Sequence, residues 1–331
     1  MKKHSVLSIL TASVLIVLAC QSPLTTATLT PFAATQTSAP ALTETPALTL
    51  TASPTFAPII KRVLIVSFDG MRPDAIAAAP MPSLEGLMQG GAYSLRAQTT
   101  YPPITLPAHS SMLTGECPYK HKVTWNDYIP ENGIALGVDL FDLAHAAGLR
   151  TVMMVGKLKL VQVTDAASVD VFEFHPEGEA LIAARAAEEM ANGFGVMFVH
   201  FPTPDLAGHE FGWMSEQQFA ALREADGALG VLLAALNSNG LRETTLIIVT
   251  ADHGGHDTTH GTDSKEDMTI LWVISGPGVI AGELSVPIYT MDTAATAAHM
   301  LDLAIPKEWD GLPVLQAFGL PSPERSPLVC R

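Results

Sequence analysis

The segment "TADHGGHDTTHGTD", residues 250 to 263, places three histidines and three aspartates in fourteen positions directly behind the apolar run "TLIIV". Imidazoles and carboxylates at that density can gather a cation, or can form a polar turn, because Asp, His and Gly all suit loops. Two further apolar runs end in the same chemistry: "LIVSFDG" in Asp69, and "VMFVHFPTPDLAGH" in Asp205 and His209. One acidic strand end is ordinary. Three that converge would set like charges together at a cost on the order of several kcal/mol unless a cation neutralised them. A metal site is the simplest expectation at the strand ends that carry Asp69, Asp205, His209, Asp252 and His253. Oxygen ligands alone suit magnesium or calcium, whereas a mixed imidazole and carboxylate set favours zinc, and manganese and iron less strongly.

Such residues meet only if the elements that carry them bring their ends together. From Lys61 onward, apolar β-branched runs alternate with helical patterns. "RVLIVSFDG" reads as a strand and "MPSLEGLMQGG" as a helix closed by glycines. "LFDLAHAAGLRTVMMVGK" is a helix, a Gly turn and a strand, and "EGEALIAARAAEEMANGFGVMFVHF" repeats that plan. "SEQQFAALREADGALGVLLAALNSNG" is a long helix leading into "TTLIIVTADHGG". Repeated crossovers between fully apolar strands predict an α/β fold with a mostly parallel central sheet and helices on both faces. Ligands of such sheets bind at the carboxyl ends of the strands, where the acidic and histidine residues lie.

At these residues the chain resembles a known group. "VSFDGMRPD", "YPPITLPAHSSMLTG", "TPDLAGHEFG", "ADHGG" and "HGTD", in that order, are similar to motifs of the alkaline phosphatase superfamily, in its type I phosphodiesterase and nucleotide pyrophosphatase branch. The resemblance runs from about Val63 to at least Gly278. It implies two zinc ions and a threonine nucleophile in "TLP", here Thr105. Carried over residue by residue, one zinc would be held by Asp69, Thr105, Asp252 and His253, and the other by Asp205, His209 and His260. His260 is preferred to His256 because "HGTD" matches the last ligand segment of the family. The implied chemistry is in-line attack by Thr105, a covalent phosphothreonine and its hydrolysis, with Asn126 of "VTWNDY" donating to a phosphate oxygen. Read from the residues alone, Ser110 or Ser111 competes with Thr105 for the nucleophile, and Asn126 is equally a turn cap.

The departures from that pattern bear on the substrate. Larger nucleotide pyrophosphatases carry a long insertion between "DHG" and the last histidine, whereas six residues separate His253 from His260 here, so the site is expected to be more open. Lys157 and Lys159 of "VGKLKL" resemble the paired basic residues with which phosphomonoesterase and phosphonate-hydrolysing relatives hold a doubly charged group; otherwise they are a solvated pair. A sulfatase needs Cys or Ser followed by x-Pro-x-Arg, and "TLPAH" has no such arginine. A phosphomutase of this type carries a large inserted domain for which the chain is short. A non-catalytic, metal-dependent surface binding protein is the alternative from a different class.

Composition sets the outer limits. With 331 residues, 48% of them hydrophobic, the chain can bury a sizeable core. Its formal charge of −15 argues against a protein that holds a nucleic-acid backbone by bulk attraction, and the partner that the resemblance implies is a small phosphate ester. "MKKHSVLSILTASVLIVLAC" has the layout of a secretory signal and resembles a lipoprotein signal with Cys20 as the lipidated residue. Residues 21–58 are rich in Thr, Ala, Pro and Ser with Glu44 the only charge, and read as a disordered tether. The expected organisation is therefore a signal peptide at 1–20, a tether at 21–58 and a catalytic domain at 59–331, exported and anchored to the bacterial envelope through lipid alone. In an oxidising compartment Cys117 and Cys330 could pair, though their separation leaves pairing open; neither is expected to be catalytic.

Overall fold

The computed structural model describes residues 60–325 and 330, so the signal peptide, Cys20 and the tether lie outside the described residues. Eight strands make one sheet: β1 Arg62–Phe68, β2 Ala92–Gln98, β3 Thr151–Val155, β4 Val171–Phe174, β5 Val196–Phe201, β6 Thr245–Thr250, β7 Thr269–Ser275 and β8 Gly282–Glu283. Their spatial order is β4-β3-β5-β1-β6-β7-β2-β8. All neighbours pair in parallel except β7, which runs antiparallel to both β6 and β2. The mostly parallel sheet expected from the apolar runs is what the chain forms.

Helices cover both faces. On one side α1 (Pro82–Gly90), α5 (Glu179–Ala191) and α6 (Thr203–Phe211) pack on the long α7 (Glu216–Ser238). On the other, α2 (Thr105–Thr114) packs with α3 (Pro118–His121), α4 (Leu140–Ala146) and α9 (Asp292–Met300). A further short helix, α8 (Lys265–Met268), precedes β7. The four strands β3, β5, β1 and β6 are adjacent, and from Val63 to Phe68 and through all of β3, β5 and β6 every residue is buried. A strand sandwiched between two helix layers has no solvent face, which is why these segments read as unbroken apolar runs rather than as alternating ones.

Helix ends are tied to distant parts of the chain. Asp226 on α7 accepts from the Ser83 and Leu84 N–H groups (3.0 and 2.8 Å) and so caps α1, satisfying two donors that the helix itself leaves unpaired. Glu179 at the start of α5 accepts from Thr203 N–H (2.7 Å) and from its hydroxyl (2.5 Å), fixing the start of α6. Both bonds bear on the site, because α6 carries Asp205 and His209.

Candidate active site

Four neighbouring strands deliver the candidate residues from their carboxyl ends. Asp69 follows β1, Asp252 and His253 follow β6, Asp205 and His209 sit on α6 after β5, and Lys157 follows β3. Gly70 makes this convergence possible. Its φ of +71° is open to glycine, and a Cβ there would lie 3.1 Å from the Asp205 Cα. Its N–H donates to Asp252 Oδ1 (3.0 Å), which holds two of the carboxylates side by side.

The three histidines share one arrangement. His253 Nδ1–H donates to Gly254 O (2.8 Å), His209 Nδ1–H to Thr258 O (3.0 Å), and His260 Nδ1–H to Pro103 O (2.9 Å). A carbonyl can only accept, so each Nδ1 carries the proton and each Nε2 presents a lone pair. Those lone pairs face other lone pairs. His260 Nε2 is 3.1 Å from His209 Nε2, and both are about as near to Asp205 Oδ1, at 3.6 and 3.5 Å. His253 Nε2 is 3.5 Å from Asp69 Oδ1 and 3.2 Å from Asp252 Oδ2. Those same three oxygens, Asp69 Oδ1, Asp205 Oδ1 and Asp252 Oδ2, are buried and accept no hydrogen bond among the described residues. Acceptors aimed at acceptors in a buried site repel one another unless a cation lies between them. Among the described residues, two groups could hold a metal ion: Asp69, Asp252 and His253, and Asp205, His253 and His260. His253 borders both, with its ring stacked on His260 at 3.8 Å.

Charge in the site is balanced in part by Lys157, whose Nζ lies 2.6 Å from both Asp69 Oδ2 and Asp205 Oδ2. Burial works against ionisation of Asp69, yet Lys157 and a hydrogen bond from His200 hold it well below the usual carboxylate range. Asp252 moves the other way, pushed well up by burial and by the Asp69 charge. Burial lowers His253, and burial with His253 alongside brings His260 down to about 4, so both imidazoles are neutral and free to ligate at neutral pH.

Thr105 is the first residue of α2 and is buried. Its Oγ1 is 3.5 Å from His253 Nε2 and 3.5 Å from Lys157 Nζ. The rival serines face elsewhere. Ser110 Oγ donates to Leu106 O (2.8 Å) within the helix. Ser111 Oγ meets His121 Nε2 at 2.9 Å, while Val123 N–H donates to His121 Nδ1 (3.2 Å). The proton of His121 is therefore on Nε2, which donates to Ser111 and cannot serve it as a base. Asn126 Oδ1 accepts from Leu106 N–H (2.9 Å) and Lys159 Nζ (3.1 Å), so its amide is oriented with Nδ2 as the group left to donate. His256 is turned out of the cluster, its Nδ1 bonded to Asp267 Oδ1 at 2.7 Å.

Two buried histidines beneath the site escape the sequence reading. His200 receives Gly156 N–H on Nδ1 (3.2 Å), so its Nε2–H donates to Asp69 Oδ2 (2.8 Å). His109 donates from Nδ1 to Thr105 O (2.8 Å) and accepts from Ser67 Oγ on Nε2 (2.8 Å). Each orients a candidate ligand, a role common for the partners of metal-binding side chains. The signal was available: His200 interrupts the apolar strand "VMFVHF" at the register of Ser67, where only a partnered polar group is tolerated.

Comparison with known proteins decides among the folds that share this topology. Residues 63–140 and 159–279 match the family profile of type I phosphodiesterase / nucleotide pyrophosphatase.

The chain belongs to that family.

Residues 141–158, with β3 and Lys157, fall outside the matched segments. Ectonucleotide pyrophosphatase/phosphodiesterase family member 7 of Homo sapiens is 25% identical over 220 residues, covering 58% of this chain. The chain spans 47% of that relative and 23% of human family member 1. Among solved structures, an inactive form of murine ectonucleotide pyrophosphatase/phosphodiesterase 5 in complex with AMP superposes with a TM-score of 0.66 at 15% identity, covering 78% of this chain and 98% of that one. A phosphonate monoester hydrolase from Silicibacter pomeroyi reaches 0.64 at 16% identity, covering 80% and 78%. At these identities the superpositions speak for the alkaline-phosphatase-like fold alone.

Proposed function

We propose that this type I phosphodiesterase family member is a metal-dependent hydrolase of phosphate esters, acting on phosphodiester or nucleotide pyrophosphate bonds through a phosphothreonine on Thr105. One observation carries the reading: three orphaned carboxylate oxygens and three imidazole lone pairs converge beside a single threonine hydroxyl. Asp69, Thr105, Asp252 and His253 would hold one zinc, and Asp205, His209 and His260 the other; the nitrogen and oxygen donor set fits zinc, with other divalent metals as substitutes. Bound there, the pair supplies a lowered pKa for the Thr105 hydroxyl and positive charge for the phosphoryl oxygens.

The chain's own residues do the rest. Thr105 Oγ1 forms a bond to phosphorus as the bond to the leaving oxygen breaks, and water then displaces the threonine. The free Asn126 Nδ2 donates to a nonbridging oxygen, and the start of α2 favours negative charge at the same place. The match to the type I phosphodiesterase / nucleotide pyrophosphatase profile supports that substrate class.

A second reading has its own support. Lys157 lies 3.5 Å from Thr105 Oγ1 and Lys159 3.1 Å from Asn126 Oδ1, so two ammonium groups flank the nucleophile where a doubly charged monoester or phosphonate would place its extra charge. A substrate panel on the zinc-loaded full chain separates the two. A nitrophenyl diester is expected to lead a nitrophenyl monoester and a phosphonate in kcat/KM. A monoester preference beyond about tenfold, roughly 1.4 kcal/mol in the transition state, replaces the first reading by the second. No turnover of any of the three with both metals bound would leave a surface binding protein.

The proposed setting is the bacterial cell envelope, with the catalytic domain (59–331) held by lipid on Cys20. The Cys117–Cys330 disulfide supports an oxidising compartment. No helix among the described residues is long and apolar enough to cross a membrane.

A further inference from the structure

Trp213 lies just beyond α6, is 7% exposed, and touches three of the segments that carry candidate ligands. Its Nε1–H donates to Gly70 O (2.8 Å), next to Asp69. Its backbone N–H donates to Asp257 O (2.7 Å), midway between His253 and His260. The indole lies flat against two glycines: a Cβ on Gly208 would come within 2.8 Å of the ring and one on Gly255 within 2.2 Å. It also meets two of the candidate histidines edge-on, with ring centroids 5.1 Å from His209 and 5.7 Å from His260.

These contacts have one geometric consequence. His209 rides on α6 and His260 on the 253–260 loop; among the described residues no strand pairing joins that loop to that helix, and apart from Trp213 the two are tied by the His209 Nδ1–H bond to Thr258 O (3.0 Å). The two imidazoles meet at a centroid distance of 4.9 Å, and the indole packs edge-on against both while itself held at the end of β1 through Gly70 O. We propose that Trp213 is the positioning residue that sets the spacing of His209 and His260, and thereby controls occupancy of the Asp205–His209–His260 half of the metal centre more strongly than that of the Asp69–Asp252–His253 half, which it reaches only through the backbone of Gly70 and Gly255. The proposal rests on the two-metal reading above.

Equilibrium zinc binding to the full chain, with zinc set by chelator competition, tests it. Trp213→Leu should weaken one of the two zinc-binding steps by at least about tenfold, the lower end for loss of a residue that orients ligands, and leave the other within about threefold. Trp213→Phe keeps a ring edge but loses the bond to Gly70 O, and should fall between; where Trp213→Leu fails to fold, this variant carries the test. Trp309 is the matched control: it is also 7% exposed, its Nε1–H also donates to a carbonyl (Val138 O, 2.9 Å), and it lies as closely on Gly115, but it meets no candidate ligand. Trp309→Phe should leave both steps unchanged. Zinc should also change the tryptophan emission of the wild type and of Trp309→Phe, and change it much less in Trp213→Phe. A lowered Tm with both zinc steps intact, or both weakened alike, makes Trp213 a plain packing residue and overturns the proposal. Fewer than two zinc ions on the wild type would sink the two-metal reading as well, which separates the two failures.

Discussion

Thr105→Ala removes the hydroxyl that faces His253 Nε2 and Lys157, yet leaves Asp69, Asp252 and His253 in place. It should therefore keep both metals and lose most turnover, while Thr105→Ser keeps measurable activity. Asn126→Ala should cost on the order of 10²-fold in kcat, the usual scale for one donor to a developing oxyanion. The neighbouring histidines give a sharper contrast. His260→Ala should release one zinc in metal counting by native mass spectrometry, whereas His256→Ala, whose imidazole is spent on Asp267, should keep both; the reverse result would mean that the wrong histidine had been assigned. At this scale spacing alone named candidates, and only the family resemblance chose among them. That Ser111 is held by His121 and Asn126 by Leu106 is a matter of side-chain direction, which spacing does not encode.

The elements that carry the site were the legible part of the fold. β1, β5 and β6 are continuous apolar runs because both of their faces are covered, and each ends in the residues that matter. α1, α4, α5 and α7 show the helical period. β2, β4, β7 and β8 were not anticipated: "AYSLRAQ" is half-exposed, with Arg96 outward, β4 and β8 have four and two residues, and the apolar "TILWVIS" of β7 was not singled out. One buried helix end makes a testable case. Asp139 caps α4, accepting from Phe141 and Asp142 N–H at 2.7 and 3.0 Å, and burial, with Asp142 nearby, pushes its carboxyl up to about 7. A folded-state pKa above the unfolded one means that the native protein holds the extra proton between about pH 4 and 7, so stability falls as pH rises through that window. Asp139→Asn keeps the acceptor and removes the charge. Thermal melts from pH 5 to 8 should show a flatter decline and a higher Tm at pH 8 than wild type; identical slopes would show that Asp139 ionises freely. Asp139→Ala, by contrast, should lose about 1 kcal/mol of cap at every pH.

At the scale of the whole molecule, Cys330 closes back on the surroundings of Thr105. Cys330 is bonded to Cys117, 213 residues away in sequence, at the start of α3, and its carbonyl accepts from Tyr101 N–H (3.2 Å) in the loop leading to Thr105. A cross-link that closes so long a loop restricts the unfolded chain strongly, so replacing both cysteines by serine should lower unfolding stability by about 2 to 5 kcal/mol in denaturant titrations; equal midpoints for the two proteins would contradict this. Sequence left this pairing open because nothing local reports a contact between residues so far apart. The fold as a whole is shared with sulfatases and phosphonate hydrolases, so shape does not choose the reaction, and the choice falls on Thr105. Acid quench of the zinc-loaded chain during turnover of a substrate labelled in its phosphoryl group, followed by peptide mapping, asks that question directly. The label should sit on Thr105, in the peptide containing "TLPAHSS". Label on Ser110 or Ser111, or turnover with no labelled protein at any quench time, would contradict the phosphothreonine route while leaving the proposed metal centre to stand on its own geometry.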